Sequence, residues 1–187
     1  AGRGAPTACL VLSVEAGTGL RIPDPAECAR QLSSAIAKGD RLFQLASDRW
    51  AVVPGPGRRT DLEAMMALAA VLQSASQGAP SCASLSLRPR IAVGFCLSCQ
   101  ASGQTGAALL AAAEIAAEEA RRCGPSAVRA YSSEIAALGQ RRALLRDQIA
   151  KAFDTGEIVG FFQPQLCTDT GNVTGFVRDH APQLVRV

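Results

Sequence analysis

Several groups of side chains in this chain have types and spacings that could do chemistry. Cys96-Leu97-Ser98-Cys99 has the interval of a redox or zinc pair. It lacks a second Cys or His pair at ligand spacing and follows a strand-like run rather than opening a helix, so packing is the expected role. Gly55-Pro56-Gly57 has the glycines of a phosphate cradle, but its prolines remove backbone donors and no Lys-Ser/Thr follows, which reads as a surface loop. Asp48-Arg49 stands at the tip of a hairpin pattern, and Arg121 stands in the last turn of a helical one. A carboxylate beside arginines suits a charged, soluble turn, a salt-adjustable contact surface, or a nucleotide pocket in which Arg49 and Arg121 face a phosphate. Arg121 also complements the dipole of its own helix without any ligand. His180, the only histidine, is expected in an unstructured tail rather than in catalysis.

The elements that must position these groups come from hydrophobic periodicity. Thr7 to Val14 is a β-like run, and Asp24-Pro25 caps a helix expected to end at Gly39. Asp40 to Leu45 and Arg49 to Val53 form two strands around a tight turn, followed by the Pro54-Gly55-Pro56-Gly57 linker. Thr60-Asp61-Leu62-Glu63 reads as a capping box opening a helix with Leu62, Met65, Met66 and Ala69 on one face. Strands near Ala83 to Leu87 and Ile91 to Leu97 come next, then an alanine-rich helix from Thr105 to Arg122 ended by Gly124-Pro125, and a last strand from Val128 to Tyr131. This order predicts an α+β fold, an α/β sandwich in which helices cover one face of a mainly antiparallel five-stranded sheet. Beyond it, a helix over 133–154 leads to a short hairpin.

A chain of 187 residues with 48% hydrophobic residues suits one domain with an appendage. A net charge of +3 is too small to argue for nucleic acid. The seven cysteines are odd in number and scattered, as expected of small core residues in a reducing compartment. No apolar run approaches the roughly 20 residues of a membrane span, and no signal-peptide pattern opens the chain. A soluble, cytoplasmic domain is expected, with any membrane anchor lying upstream of Ala1.

Asp40-Arg41-Leu42-Phe43-Gln44-Leu45-Ala46-Ser47-Asp48-Arg49-Trp50-Ala51-Val52-Val53 resembles the hairpin of the GGDEF family, the diguanylate cyclases, whose form is Asp-x-x-x-Arg-x-Gly-Gly-Asp-Glu-Phe followed by apolar residues. Ile91-Ala92-Val93-Gly94-Phe95 is similar to that family's following strand. Leu109-Leu110, Glu114-Ile115-Ala116 and Ala120-Arg121-Arg122-Cys123-Gly124 are similar to its late helix. Further on, Leu144, Leu145, Ile149, Ala152 and Phe153 lead into Asp154-Thr155-Gly156-Glu157, the apolar run 158–162, Gln163-Pro164, a turn at Thr170-Gly171-Asn172 and Val173-Thr174-Gly175-Phe176. This resembles the opening of an EAL domain, the cyclic-di-GMP phosphodiesterases. The organisation implied is a GGDEF-like domain over 1–132, a linker helix over 133–154 and an EAL start with a tail over 155–187.

The resemblance implies a chemistry that this chain departs from residue by residue. Joining two GTP molecules requires divalent cations and converging carboxylates. One family ligand maps onto Ser13; Glu15, close by, is expected on the opposite face. Another is kept as Asp48. Ala46 and Ser47 replace glycines that let nucleotide approach the backbone, Arg49 replaces an acid, and Trp50 replaces the aromatic. Arg121 falls at the family's phosphate-binding lysine. The family's phosphate- and guanine-binding segments have no counterpart over 15–23, and the inhibitory product site survives as Ala37 and Asp40 without its arginine. The EAL catalytic glutamate maps onto Val177 and the rest of a barrel does not follow. The expectation is a catalytically inactive regulatory or dimerising GGDEF-like domain with no metal site, partnered by itself or by other cyclic-di-GMP signalling domains. The alternatives are a GTP-sensing domain, with GTP and magnesium as ligand, of an active phosphodiesterase, and a stand-alone protein-interaction domain. The helix over 133–153 is either the coupling element or a plain linker.

Overall fold

The computed structural model describes residues 7–15, 24–77, 90–101, 103, 105–158 and 162–178. The chain divides into two units, 1–139 and 140–187. In the first, β1 (Ala8–Glu15) lies at the centre of a five-stranded sheet of order β2-β3-β1-β4-β5, with β2 Arg41–Ala46, β3 Arg49–Val53, β4 Arg90–Leu97 and β5 Val128–Ala130. All neighbours are antiparallel except β4 and β5, which run parallel. The α+β architecture and mainly antiparallel sheet stand as expected. The strand expected at Ala83 to Leu87 lies outside the described residues.

The helices cover both faces of the sheet, not one. Leu10, Leu12 and Val14 of β1 pack with Cys28 and Leu32 of α1 (Pro25–Ala35) and with Met65, Leu68, Ala69 and Leu72 of α2 (Leu62–Gln77). Cys9 and Val11 pack on the other side with Ala112, Ala113, Ala116 and Ala117 of α3 (Gly106–Cys123). The unbroken apolar runs of β1 and β4 are the cause: a strand with one wet face alternates, whereas a strand buried twice does not. Alanines let α3 sit close, and Gly94 lets it sit closer. A Cβ at Gly94 would lie 1.8 Å from the backbone nitrogen of Ala117.

Local chemistry sets the helix ends. Asp24 accepts a hydrogen bond from the N–H of Ala26, with Pro25 in the first turn, so α1 starts as expected. It stops at Ala35 rather than Gly39 because Ile36 turns extended and residues 37–40 form a turn of their own. The cap of α2 is Asp61, whose carboxylate accepts from the N–H of Ala64 at 2.9 Å, not Thr60. With that start, Leu62 and Met66 are exposed, and Leu68 and Leu72 join the buried face. Thr105 caps α3, and Gly124, at φ +133°, ends it.

The cysteines behave as core residues. Cys9 and Cys96 are cross-strand partners and both are buried. Burial pushes the Cys9 thiol up to about 12 and the Cys96 thiol up to about 11, far from the thiolate that redox or metal chemistry uses.

α4 (Ser133–Asp154) has no buried residue. In the second unit, β6 (Phe162–Leu166) pairs antiparallel with β7 (Val173–Arg178). The strand therefore starts at Phe162 rather than Ile158, with 159–161 outside the described residues, as are 16–23, His180 and the tail. Among the described residues no helix is long and apolar enough to cross a membrane.

Candidate functional site

The hairpin turn, the end of β1 and the end of α3 meet at one place. The β2–β3 hairpin turns through Ser47 and Asp48, with a register shift between Gln44 and Ala46 that opposes Ala46 to Arg49. Ser13 is the cross-strand partner of Arg49, and the N–H of Val14 donates to the Asp48 carbonyl at 2.8 Å, which fastens the turn to the sheet. These elements and α3 enclose a cleft of about 160 Å³ lined by Ser13, Val14, Glu15, Asp48, Arg49, Glu118 and Arg121. Ser13, Asp48 and Arg121, separate in sequence, are thus brought together. Glu15 lies with Ser13 on the α3 side, against the expectation that it turns away. Residues two apart in a strand share a face, and the strand continues through Glu15.

Glu118 is the member of this cleft that the sequence reading missed. Arg121 grips it with both branches of its guanidinium, Nε to Oε2 at 3.1 Å and Nη2 to Oε1 at 3.1 Å. Arg122 donates to the same carboxylate at 3.1 Å. Arg121 Nη1 also lies 3.9 Å from Glu15 Oε1. The Arg121 hydrogen bonds hold the Glu118 carboxyl below its ordinary range, and Glu118, with Glu15 and Asp48, holds the guanidinium above its own. The i,i+3 spacing of Glu118 and Arg121 on a helix was the available signal.

The remaining signature residues divide. Ala46 closes β2, while Trp50, next to Arg49, is fully buried and belongs to the core cluster under α1 and α2. Its indole Nε1 has no hydrogen-bond partner among the described residues. Trp50 therefore anchors the hairpin and does not reach the cleft.

Asp40 has a separate and structural environment. Its side chain is 2% exposed and accepts from the N–H of Gly55 at 2.8 Å, the N–H of Ala37 at 3.0 Å and Arg58 Nε at 3.2 Å, while Arg58 Nη2 lies 2.8 Å from its second oxygen. Burial opposes its charge, but those hydrogen bonds outweigh it and the carboxyl is held below its ordinary value. The Pro54–Gly57 loop is clasped to the 37–40 turn, and a Cβ at Gly55 would lie 2.5 Å from the Gly39 carbonyl. Gln163 and Pro164 lie in β6, in register with Val177 and Phe176, in the second unit.

A pair of divalent cations with nucleotide does not fit the cleft as built. The position at the end of β1 carries a hydroxyl, and the guanidinium of Arg121 occupies Glu15 and Glu118. Among the described residues no group of three or more His, Cys, Asp or Glu is arranged to hold a metal ion.

No protein-family model matches the chain, and no curated protein does. Among solved structures it is similar to the GGDEF domain of YfiN from Pseudomonas aeruginosa, at 20% identity over 72% of this chain and 83% of that one, with a TM-score of 0.57. It is similar to the active GGEEF domain of a diguanylate cyclase from Vibrio cholerae, at 13% identity over 68% and 84%, with a TM-score of 0.55. It is also similar to an EAL/GGDEF domain protein from M. capsulatus, at 17% identity over 69% and 86%, with a TM-score of 0.52. The first unit of this chain has the fold of the GGDEF domains.

Proposed function

We propose that this chain is a catalytically silent GGDEF-like module of a bacterial cyclic-di-GMP signalling protein, serving as a regulatory or dimerising domain in the cytoplasm. The observation that carries this reading is the ion-pair set in the cleft. Linking two GTP molecules needs cations at the α-phosphate and the triphosphate, held by carboxylates that converge on them. Here Arg121 draws Glu118 and Glu15 to itself, Ser13 supplies no charge, and Ala46 and Ser47 put side chains where nucleotide would approach the backbone. Asp40, at the place of the inhibitory site, has its oxygens saturated by Ala37, Gly55 and Arg58.

A contact role is supported by α4, where Leu144, Leu145, Ile149 and Phe153 are exposed, and by the exposed Phe162, Leu166, Val173 and Phe176 of the β6–β7 hairpin. Two strands alone are marginal in water. The proposal therefore includes the reading of 155–178 as the opening of an EAL domain whose remaining mass covers these side chains.

The test is turnover. The purified chain incubated with GTP and magnesium or manganese should form no cyclic or linear guanosine dinucleotide above a protein-free blank. Product that scales with protein concentration and vanishes in Asp48→Ala would overturn the reading.

A further inference from the structure

Carboxylates from three elements, Glu15 of β1, Asp48 of the hairpin turn and Glu118 of α3, line one cleft and surround one guanidinium. Like charges brought this close repel unless a cation lies among them. A divalent ion with oxygen ligands is one solution. A guanidinium, permanently charged and with five donors in a fixed fork, is another. Arg121 makes the two-pronged grip on Glu118, reaches to 3.9 Å of Glu15, and feels the charge of Asp48. Arg122 on Glu118 and Arg49 in the cleft wall complete the charge set.

We propose that Arg121 is the resident cation of this cleft, taking the place of a divalent ion among Glu15, Asp48 and Glu118, and that the cleft admits no divalent ion while this side chain is present. The inference rests on the cleft assigned above but not on its catalytic silence. Glu15 and Glu118 are 39% and 43% exposed, so both can turn toward a new ion once the guanidinium is removed.

Manganese titration followed by the electron-paramagnetic-resonance signal of free Mn²⁺, paired with thermal unfolding in Mn²⁺, tests this. The wild-type chain should leave the free signal and the melting temperature unchanged. Arg121→Gln should bind Mn²⁺ at least about tenfold more tightly than wild type, because an uncompensated carboxylate set attracts a cation strongly at short range. Its melting temperature should rise with Mn²⁺, and adding Glu118→Gln should remove both effects. Arg121→Lys, which keeps a charge in place, should behave as wild type, and it carries the test if Arg121→Gln does not fold. Stoichiometric Mn²⁺ binding by the wild-type or Arg121→Lys chain, or a folded Arg121→Gln that titrates like wild type, would overturn the proposal. Turnover of GTP would instead overturn the silent reading, and each can fail without the other.

Discussion

Gly94→Ala is expected to be the most damaging single methyl in this chain. The added Cβ would lie 1.8 Å from Ala117 N, 2.3 Å from Ala116 C and 2.4 Å from Ala117 Cα, all backbone atoms of α3. A flexible side chain can swing aside, but a helix backbone cannot, so β4 and α3 must separate. That separation opens the interface between Cys9, Val11 and Cys96 on the sheet and Ala112, Ala113, Ala116 and Ala117 on the helix. The expected loss is about 3–5 kcal/mol, at the upper end for overpacking, which is enough to leave a marginal domain largely unfolded. Gly106→Ala is the control, since a Cβ there meets nothing within 4 Å. It should be neutral or stabilising by about 0.5 kcal/mol. Urea unfolding followed by circular dichroism measures both, and equal midpoints for Gly94→Ala and wild type would refute the close packing of α3.

Asp40→Ala is expected to cost about 2–4 kcal/mol, because three donors lose their acceptor in a place with almost no water. Those donors are the N–H groups of Ala37 and Gly55 and the Arg58 guanidinium. The pH dependence carries a definite sign. The Asp40 carboxyl is held below its ordinary value in the folded chain. Its contribution is therefore complete above the unfolded-state value of about 4 and disappears as pH falls through the folded value. The stability gap between wild type and Asp40→Ala should be widest near neutral pH and close toward pH 3. Arg58→Ala should show a smaller gap, about 1 kcal/mol, since Arg58 is 28% exposed and the two N–H donors remain. A gap independent of pH would mean that the loop is held by something other than the charge of Asp40.

The sheet was legible in the sequence because its strands are written as apolar runs between turn residues. The β2–β3 hairpin is bounded by Asp40 and Val53 and turns at Ser47-Asp48, within a residue or so of expectation. Burial on both faces was equally present in Thr7 to Val14, which does not alternate, but the order of elements alone leaves open which side each helix takes. The Gly39 end of α1 misled because the Asp40 carboxylate, held by a loop fifteen residues later, organises a turn that periodicity cannot show. At the cleft, Ser13, Asp48 and Arg121 could be singled out by type and position. Glu118 could not, since its importance comes from Arg121 turning back along α3 rather than toward a ligand. Trp50 reads as part of a hairpin tip, yet the two-residue period of β3 carries its side chain away from the cleft into the core with Leu12 and Val52.

Isothermal titration of the chain with GTP and magnesium, and separately with cyclic-di-GMP, tests most directly whether the cleft and the Asp40 turn are satisfied by the chain's own arginines. The account predicts no saturable heat with either ligand at concentrations up to the solubility of the protein. Saturable binding of GTP that needs magnesium and is lost in Asp48→Ala, or of cyclic-di-GMP that is lost in Asp40→Ala, would contradict it.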